Sequence, residues 1–419
     1  MLLPSLCLAL LAAAQQPRDD ELHGPRILAI LEEAERESEQ ATDALSRRIA
    51  FLGSEALPAV LEILEQGRGC DPDREQPWLS ARQIEVLHGS LVMSTRDSVI
   101  GLLEERAAAN PCPRSVLGIL AELGRGEDIG LCLAVLEPAS SDDFEQTVTR
   151  ILQQDPGAYA LLKAHIREQP PDNASTLVRA AGATASYTGL QMLLELLGQG
   201  PGLDRVLLTH IGQIGRAAPW HVDDHARRRV RGYLTGEDES MLCAALYAVG
   251  GMQDFESVAR VIELLGSESR SVREAAHWAL KASTGLELSA DQHRWEAWHA
   301  SESDWYERHA GRLFRRIAAT SSRGIAEALR ELSMCRYQRG KTAQGILGLL
   351  NHADPFVRSE ACQALRNLRV GVAVPALLAS MTDADPSVAQ EAWKALQSIT
   401  GRQVPFDVTA WSRELQVQL

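Results

Sequence analysis

Eleven histidines are scattered along the 419 residues, and side chains fit for acid–base or metal chemistry meet in few places. His221 and His225 stand one helical turn apart with Asp223 and Asp224 between them. Two imidazoles at that spacing can grip a divalent metal, but a zinc-protease helix needs glutamate directly after its first histidine as the base, and Val222 stands there instead. A solvated turn or helix start is the simpler explanation of the pair. His293, Trp295, Trp298, His299 and His309 form a second group, whose rings suit amphipathic packing better than ligation. No Gly-x-Ser-x-Gly, phosphate-binding loop or Cys-x-x-Cys pair occurs. The expectation is a protein without catalytic residues, cofactor or metal, and not an enzyme.

Charge narrows the partners. The formal net charge is −14, which disfavours a polyanion bound by counterion release, so no nucleic acid is expected. Two basic sets interrupt the acidic background: Arg227, Arg228, Arg229 and Arg231, and the helically spaced Arg308, Arg312, Arg315 and Arg316. Neither is interleaved with aromatics as a base-stacking surface is, and both read as solvated helix faces. Merged into one exposed stripe, they would instead suit an envelope glycan or another anion.

The first residues read as a targeting signal. Leu2 to Leu11 is almost wholly apolar, and Ala12-Ala13-Ala14-Gln15 offers small residues for a signal peptidase, so residues 1–14 are expected to be removed and the chain exported to the periplasm or beyond. No lysine or arginine precedes the run, a departure from the usual signal. The run is too short to span a bilayer, which takes about 20 apolar residues, and no later stretch qualifies. Six cysteines remain after Cys7. Cys132, Cys243, Cys335 and Cys362 fall in helical patterns as small apolar residues. Cys70 and Cys112 fall in Gly/Pro-rich loops, where they are either a disulfide pair or two separate thiols.

The elements that would position any site come from an internal repeat. Asp354-Pro355-Phe356-Val357-Arg358 recurs 31 residues later as Asp385-Pro386-Ser387-Val388-Ala389. Val357, Ala361, Ala364 and Leu365 then match Val388, Ala392, Ala395 and Leu396, and upstream Val272, Ala276, Ala279 and Leu280, and Met241, Ala245, Ala248 and Val249. Offsets of 0, 4, 7 and 8 lie on one stripe of an α-helix. The central alanines let a neighbouring helix approach, while the flanking larger residues supply buried area. Asp238, Ser269, Asp354 and Asp385 stand as N-caps, with Pro355 and Pro386 at the first helical position. A shorter apolar helix precedes three of them, at Val258 to Leu265, Ile346 to Leu350 and Val374 to Met381.

With aromatic residues at only 5% and the chain rich in Leu and Ala, the expected fold is all-α, a solenoid of tandem helix pairs. The unit resembles the HEAT repeat, in the variety described in phycobilisome-lyase proteins, with its Asp-Pro-x-Val-Arg turn and Ala/Leu-rich second helix. The resemblance is close over residues 237–285 and 341–400 and degenerate upstream, where a first helix enters at Gly53 to Leu61. Thr284-Gly285, Asp291 and Trp295 recur at identical offsets as Thr400-Gly401, Asp407 and Trp411. Each set is expected to be a cap whose tryptophan folds back over the repeats. The expected organisation is a signal peptide over 1–14, degenerate repeats over 15–236, repeats with a Trp cap over 237–306, and linking helices, repeats and a second cap over 307–419.

HEAT-based enzymes give sharper tests. The di-iron deoxyhypusine hydroxylases carry His-Glu dipeptides, and no histidine here is followed by glutamate. Chromophore lyases have no simple signature to map, so a lyase-like enzyme stays as the alternative. The resemblance implies a protein-binding scaffold whose second helices line a groove. Offsets 2, 6 and 9 then face the partner: Glu274, Trp278 and Lys281; Ser359, Gln363 and Arg366; Gln390, Lys394 and Gln397. Of these, Glu274, Trp278, Lys281, Gln363, Arg366 and Lys394 are the candidate binding residues for a protein or peptide, with Trp278 as anchor unless the Trp295 cap covers it.

Overall fold

The computed structural model describes residues 23–36, 41–67, 79–109, 113–134, 141–169, 171–319 and 321–415. Among them there is no strand, and no helix is long and apolar enough to cross a membrane. The apolar run at residues 2–11, Cys70 and Cys112 lie outside the described residues. The fold is an all-α solenoid of HEAT-like helix pairs, in two compact units, Met1–His165 and Ile166–Leu419.

In the first unit, α1 (Gly24–Ala34), α3 (Leu57–Gly67), α5 (Arg96–Ala109) and α7 (Ile129–Ala134) alternate with α2 (Thr42–Ala50), α4 (Ala81–Met93), α6 (Pro113–Leu123) and α8 (Ser141–Gln154). The second helices α2, α4, α6 and α8 pack in succession. Turn chemistry sets their starts: Ser80 accepts from the Gln83 amide while the Gln83 side chain accepts from the Ser80 amide, a full capping box opening α4. Helix α9 (Ala158–Glu168) carries the chain into the second unit.

The second unit holds the clearest repeats. Helices α10 (Pro171–Ala183), α12 (Pro201–Ala217), α14 (Glu239–Gly251) and α16 (Arg270–Thr284) form one row, backed by α11 (Tyr187–Leu196), α13 (Asp224–Arg231) and α15 (Val258–Leu264). After α17 (Gln292–Ala319), a second row of α18 (Ser322–Met334), α20 (Pro355–Leu368) and α22 (Pro386–Thr400) is backed by α19 (Arg339–Ile346) and α21 (Val374–Ser380), with α23 (Val408–Leu415) last. The Val, Ala, Ala and Leu stripes of α16, α20 and α22 are all buried, and so are Ala245, Ala248 and Val249 of α14. Asp238, Ser269, Asp354 and Asp385 all accept a hydrogen bond from the first turn of the helix they open. The arginine of the repeat turn also has a visible task. Arg273 donates to the Ser267 and Glu268 carbonyls and Arg358 to those of His352 and Ala353, fixing the entry of each helix.

Both caps take one geometry. Gly285 (φ 73°) and Gly401 (φ 71°) close their helices in the left-handed conformation that glycine adopts without strain. Asp291 and Asp407 then start the next helix, and Trp295 and Trp411 are fully buried. Helix α17 runs unbroken through residues 306 and 307, because nothing between Gln292 and Gly311 breaks it. Its first turns therefore cap the first row, while Ala310 and Leu313 pack on Ala328 and Leu332 of α18 to begin the second. The free thiols of Cys132, Cys335 and Cys362 are buried, and burial pushes each up to about 12, consistent with small core residues rather than reactive groups.

Within this unit the rows meet at a seam. The turn Pro219–His221 lies against Gly371–Ala373, and the Trp220 Nε1 donates to the Leu415 carbonyl at 3.1 Å. Arg339 is buried there over the Phe255 ring and donates to Ser283 O at 2.5 Å and Leu368 O at 3.4 Å, near the C-terminal ends of α16 and α20, where carbonyl dipoles favour a cation. Gly371 admits the approach: a Cβ there would stand 2.6 Å from the Pro219 carbonyl carbon. Gly371→Ala is expected to cost about 1–3 kcal/mol in urea unfolding, because the contact is with backbone that must move. Gly348→Ala, whose Cβ meets nothing within 4 Å, is the silent control.

Candidate functional site

Three successive helices of the first row, α12, α14 and α16, border an open hollow of about 210 Å³. It is lined by Thr209, Gly212, Gln213 and Arg216 from α12, Tyr247 from α14 and Trp278 from α16. The stripe of α12 is Leu207, Ile211, Ile214 and Gly215, all buried. Thr209, Gln213 and Arg216 are therefore its offsets 2, 6 and 9. Tyr247 is offset 6 from Met241, as Trp278 is from Val272. A ladder of Gln213, Tyr247 and Trp278 thus crosses the three helices at one position of the repeat.

The aromatic rungs touch. The Tyr247 and Trp278 rings meet edge to face, centroids 5.1 Å apart and planes 60° apart. Trp278 is half-buried and Tyr247 is 45% exposed, so this pair is only partly used by the fold. Close packing beneath explains how they come so near. A Cβ on Gly250 would sit 2.7 Å from the Trp278 ring, and one on Gly251 2.2 Å from the Gly212 carbonyl oxygen. The Trp295 ring meets Trp298 edge to face and its Nε1 donates to Ser289 O.

The other sequence candidates divide between the rows. Glu274 shares α16 with Trp278, is exposed and pairs with Arg270, and Lys281 pairs with Glu287. Gln363, Arg366 and Lys394 stand on α20 and α22 of the second row, where Arg366 and Lys394 both hold Glu391, at 2.9 and 2.8 Å. Ring-bearing offset-6 positions are thus a feature of the first row only. Sequence reasoning passed over Tyr247, Gln213 and Arg216, although the offset rule applied to the earlier copies names all three.

The basic sets have separate fates. Arg227, Arg228 and Arg231 line a cleft of about 100 Å³ at the seam, with Lys341, Asp224, Asp254 and Glu256. Arg231 pairs with Asp254 and Glu256, Arg227 with Asp224 and Lys341 with Glu256. Arg229 donates to Leu197 O. Arg308 and Arg316 pair with Asp304 and Glu327. Acids thus answer Arg227, Arg231, Arg308 and Arg316, half of the two sets, locally. His221 is half-buried against Tyr187 and Trp220, while His225 is exposed, and no group of three metal-ligating side chains gathers among the described residues.

The helix pairs, their capped second helices and their alanine-centred stripes define the class as a HEAT-type α-solenoid. A family model described as HEAT repeats matches residues 316–406, which is the second row with the end of α17. A comparison with curated proteins finds no match. Among solved structures, the karyopherin Kap121p bound to the extreme C-terminus of the phosphatase Cdc14p is similar at 11% identity and a TM-score of 0.39, covering 98% of this chain and 48% of the karyopherin. An engineered protein is similar at 13% identity and 0.29, covering 89% of this chain and 98% of its own. A designed armadillo repeat protein is similar at 16% identity and 0.21, covering 50% and 99%. The chain spans about half the length of the karyopherin structures it matches.

Proposed function

We propose that this protein is a non-enzymatic scaffold that holds a protein or peptide segment across α12, α14 and α16, with Trp278 as its anchor. The observation that carries the reading is the Tyr247–Trp278 pair, left half open on a hollow at one repeated position of three helices. Rigid aromatic rings lose little entropy when covered and dominate interface energetics, so a partner gains most by burying this pair. The second row offers polar side chains at the same positions, and its charges are already paired.

Trp278→Ala is expected to weaken partner binding by at least about 2 kcal/mol, roughly thirtyfold in Kd. Affinity capture on the full chain, then titration of the captured polypeptide against wild type and variant, measures this. Circular dichroism of the variant checks that the row still folds. Capture and Kd both untouched by the substitution would remove Trp278 from the interface.

A further inference from the structure

Resting on that reading, the chemistry of the hollow also says what kind of segment it takes. Of the six residues that line it, Arg216 alone carries a charge. Its side chain is exposed at offset 9 of α12, and no carboxylate among the described residues pairs with it. Arg228 and Arg312 too have no carboxylate partner among the described residues, and what sets Arg216 apart is that it shares a hollow with two aromatic rings. Arg231 and Arg358 each grip an aspartate through two nitrogens, and Arg330 grips Glu360 likewise. In a chain of net charge −14, a guanidinium left open beside two aromatic rings is a cation without an internal answer. At the opposite side of the ladder stands Glu274, one turn before Trp278 and exposed. Glu274 is paired with Arg270 and Lys281 with Glu287, so the rings and the Arg216 guanidinium are what this surface leaves open.

Neighbouring helices of a row stand about 8–10 Å apart, so three span about 20 Å. An extended chain rising about 3.3 Å per residue crosses that in about six residues. We propose that the hollow binds an extended acidic peptide segment, an aromatic or proline side chain resting on Tyr247 and Trp278 and a carboxylate held by Arg216 about three to five residues away. Gln213 and Thr209, which line the same hollow, supply an amide and a hydroxyl for the peptide backbone. A planar guanidinium matches a carboxylate in two hydrogen bonds, which fixes both direction and register of the segment.

The test uses the full chain and a phage-displayed library of random decapeptides. Wild type is expected to enrich sequences with Asp or Glu three to five residues from an aromatic residue or proline. A peptide so enriched should lose at least about tenfold in affinity on Arg216→Ala, and Arg216→Glu should select lysine or arginine in place of the acid. Trp278→Ala should abolish enrichment altogether. Enrichment that depends on Trp278 but shows no acid preference, and survives Arg216→Glu, overturns the acidic segment while leaving the scaffold reading intact. Enrichment indifferent to Trp278→Ala, or none with wild type, overturns both.

Discussion

Truncating Trp411 to alanine is expected to destabilise the second unit by about 3–5 kcal/mol, the cost typical of emptying a fully buried aromatic site. Trp411 is 0% exposed and lies in one core with Leu365, Leu378, Val388 and Leu396, closing the second row. Without it the last helix pair has no further copy to lean on, and the stripe of α22 opens to water. Trp295→Ala should cost a similar amount, because that ring too is fully buried, at the end of the first row. Trp393 is a useful contrast: half-buried at the margin of the same core, it ties down the cap segment with its Nε1 donating to Val404 O at 3.0 Å. Trp393→Ala should cost clearly less. Urea unfolding followed by far-ultraviolet circular dichroism ranks the three. A loss below about 1 kcal/mol at Trp411 would mean that the ring is not what seals the row.

Much of this architecture is legible in the residues because the repeat writes the same physics four times. Buried stripe, N-cap aspartate or serine, and left-handed glycine each follow from local rules, and the helices begin and end as those rules dictate. The cap shows where reading stopped short. Thr-Gly, Asp and Trp mark it, yet its anchors are His277 and Trp393, both five residues after the repeat's first apolar position, donating to the carbonyls of Leu288 and Val404 eleven residues on. The spacing was there to be seen, but a histidine and a tryptophan do not look alike, although both offer a ring N–H. The seam was not legible at all. Contacts between Pro219 and Gly371, or between Arg339, Ser283 and Leu368, join segments too far apart for periodicity to reveal. Of the candidate site, offset 6 pointed to Trp278, and the same offset leads to Tyr247 and Gln213 once the helices are seen side by side. Lys394 stands three residues after Glu391, a pair that helical spacing gives, but Arg366 reaches the same carboxylate from the neighbouring helix through rotamers that no spacing rule reports.

The seam carries the second large effect, through one buried carboxylate. Asp254 is 1% exposed, and its charge is met by Arg231, Nε to Oδ2 at 2.8 Å and Nη2 to Oδ1 at 3.1 Å. Burial pushes the Asp254 carboxyl above its usual range even against the pull of that guanidinium. Arg231→Ala removes most of the pull and leaves a buried carboxylate with only Arg227 and a backbone amide to answer it, at a cost of about 3 kcal/mol near neutral pH. The direction with pH follows from the sign of the shift. With a folded-state value above the unfolded one, which lies near about 3.9, the unfolded chain gives up the proton first. Stability is then lost as pH rises through the folded value and returns as pH falls. The deficit of Arg231→Ala should therefore shrink on acidification from pH 7 toward about 4. Glu256 acts in the same direction, since Arg231 holds its carboxyl below the usual range and that contribution also fades in acid. Arg231→Met combined with Asp254→Leu should recover most of the loss at pH 7, because a matched apolar pair has no charge to strand. Urea midpoints for wild type, Arg231→Ala and the double variant across this pH range are the test. A deficit constant with pH, or a double variant no better than Arg231→Ala, would show that the guanidinium acts through packing and not through the charge of Asp254.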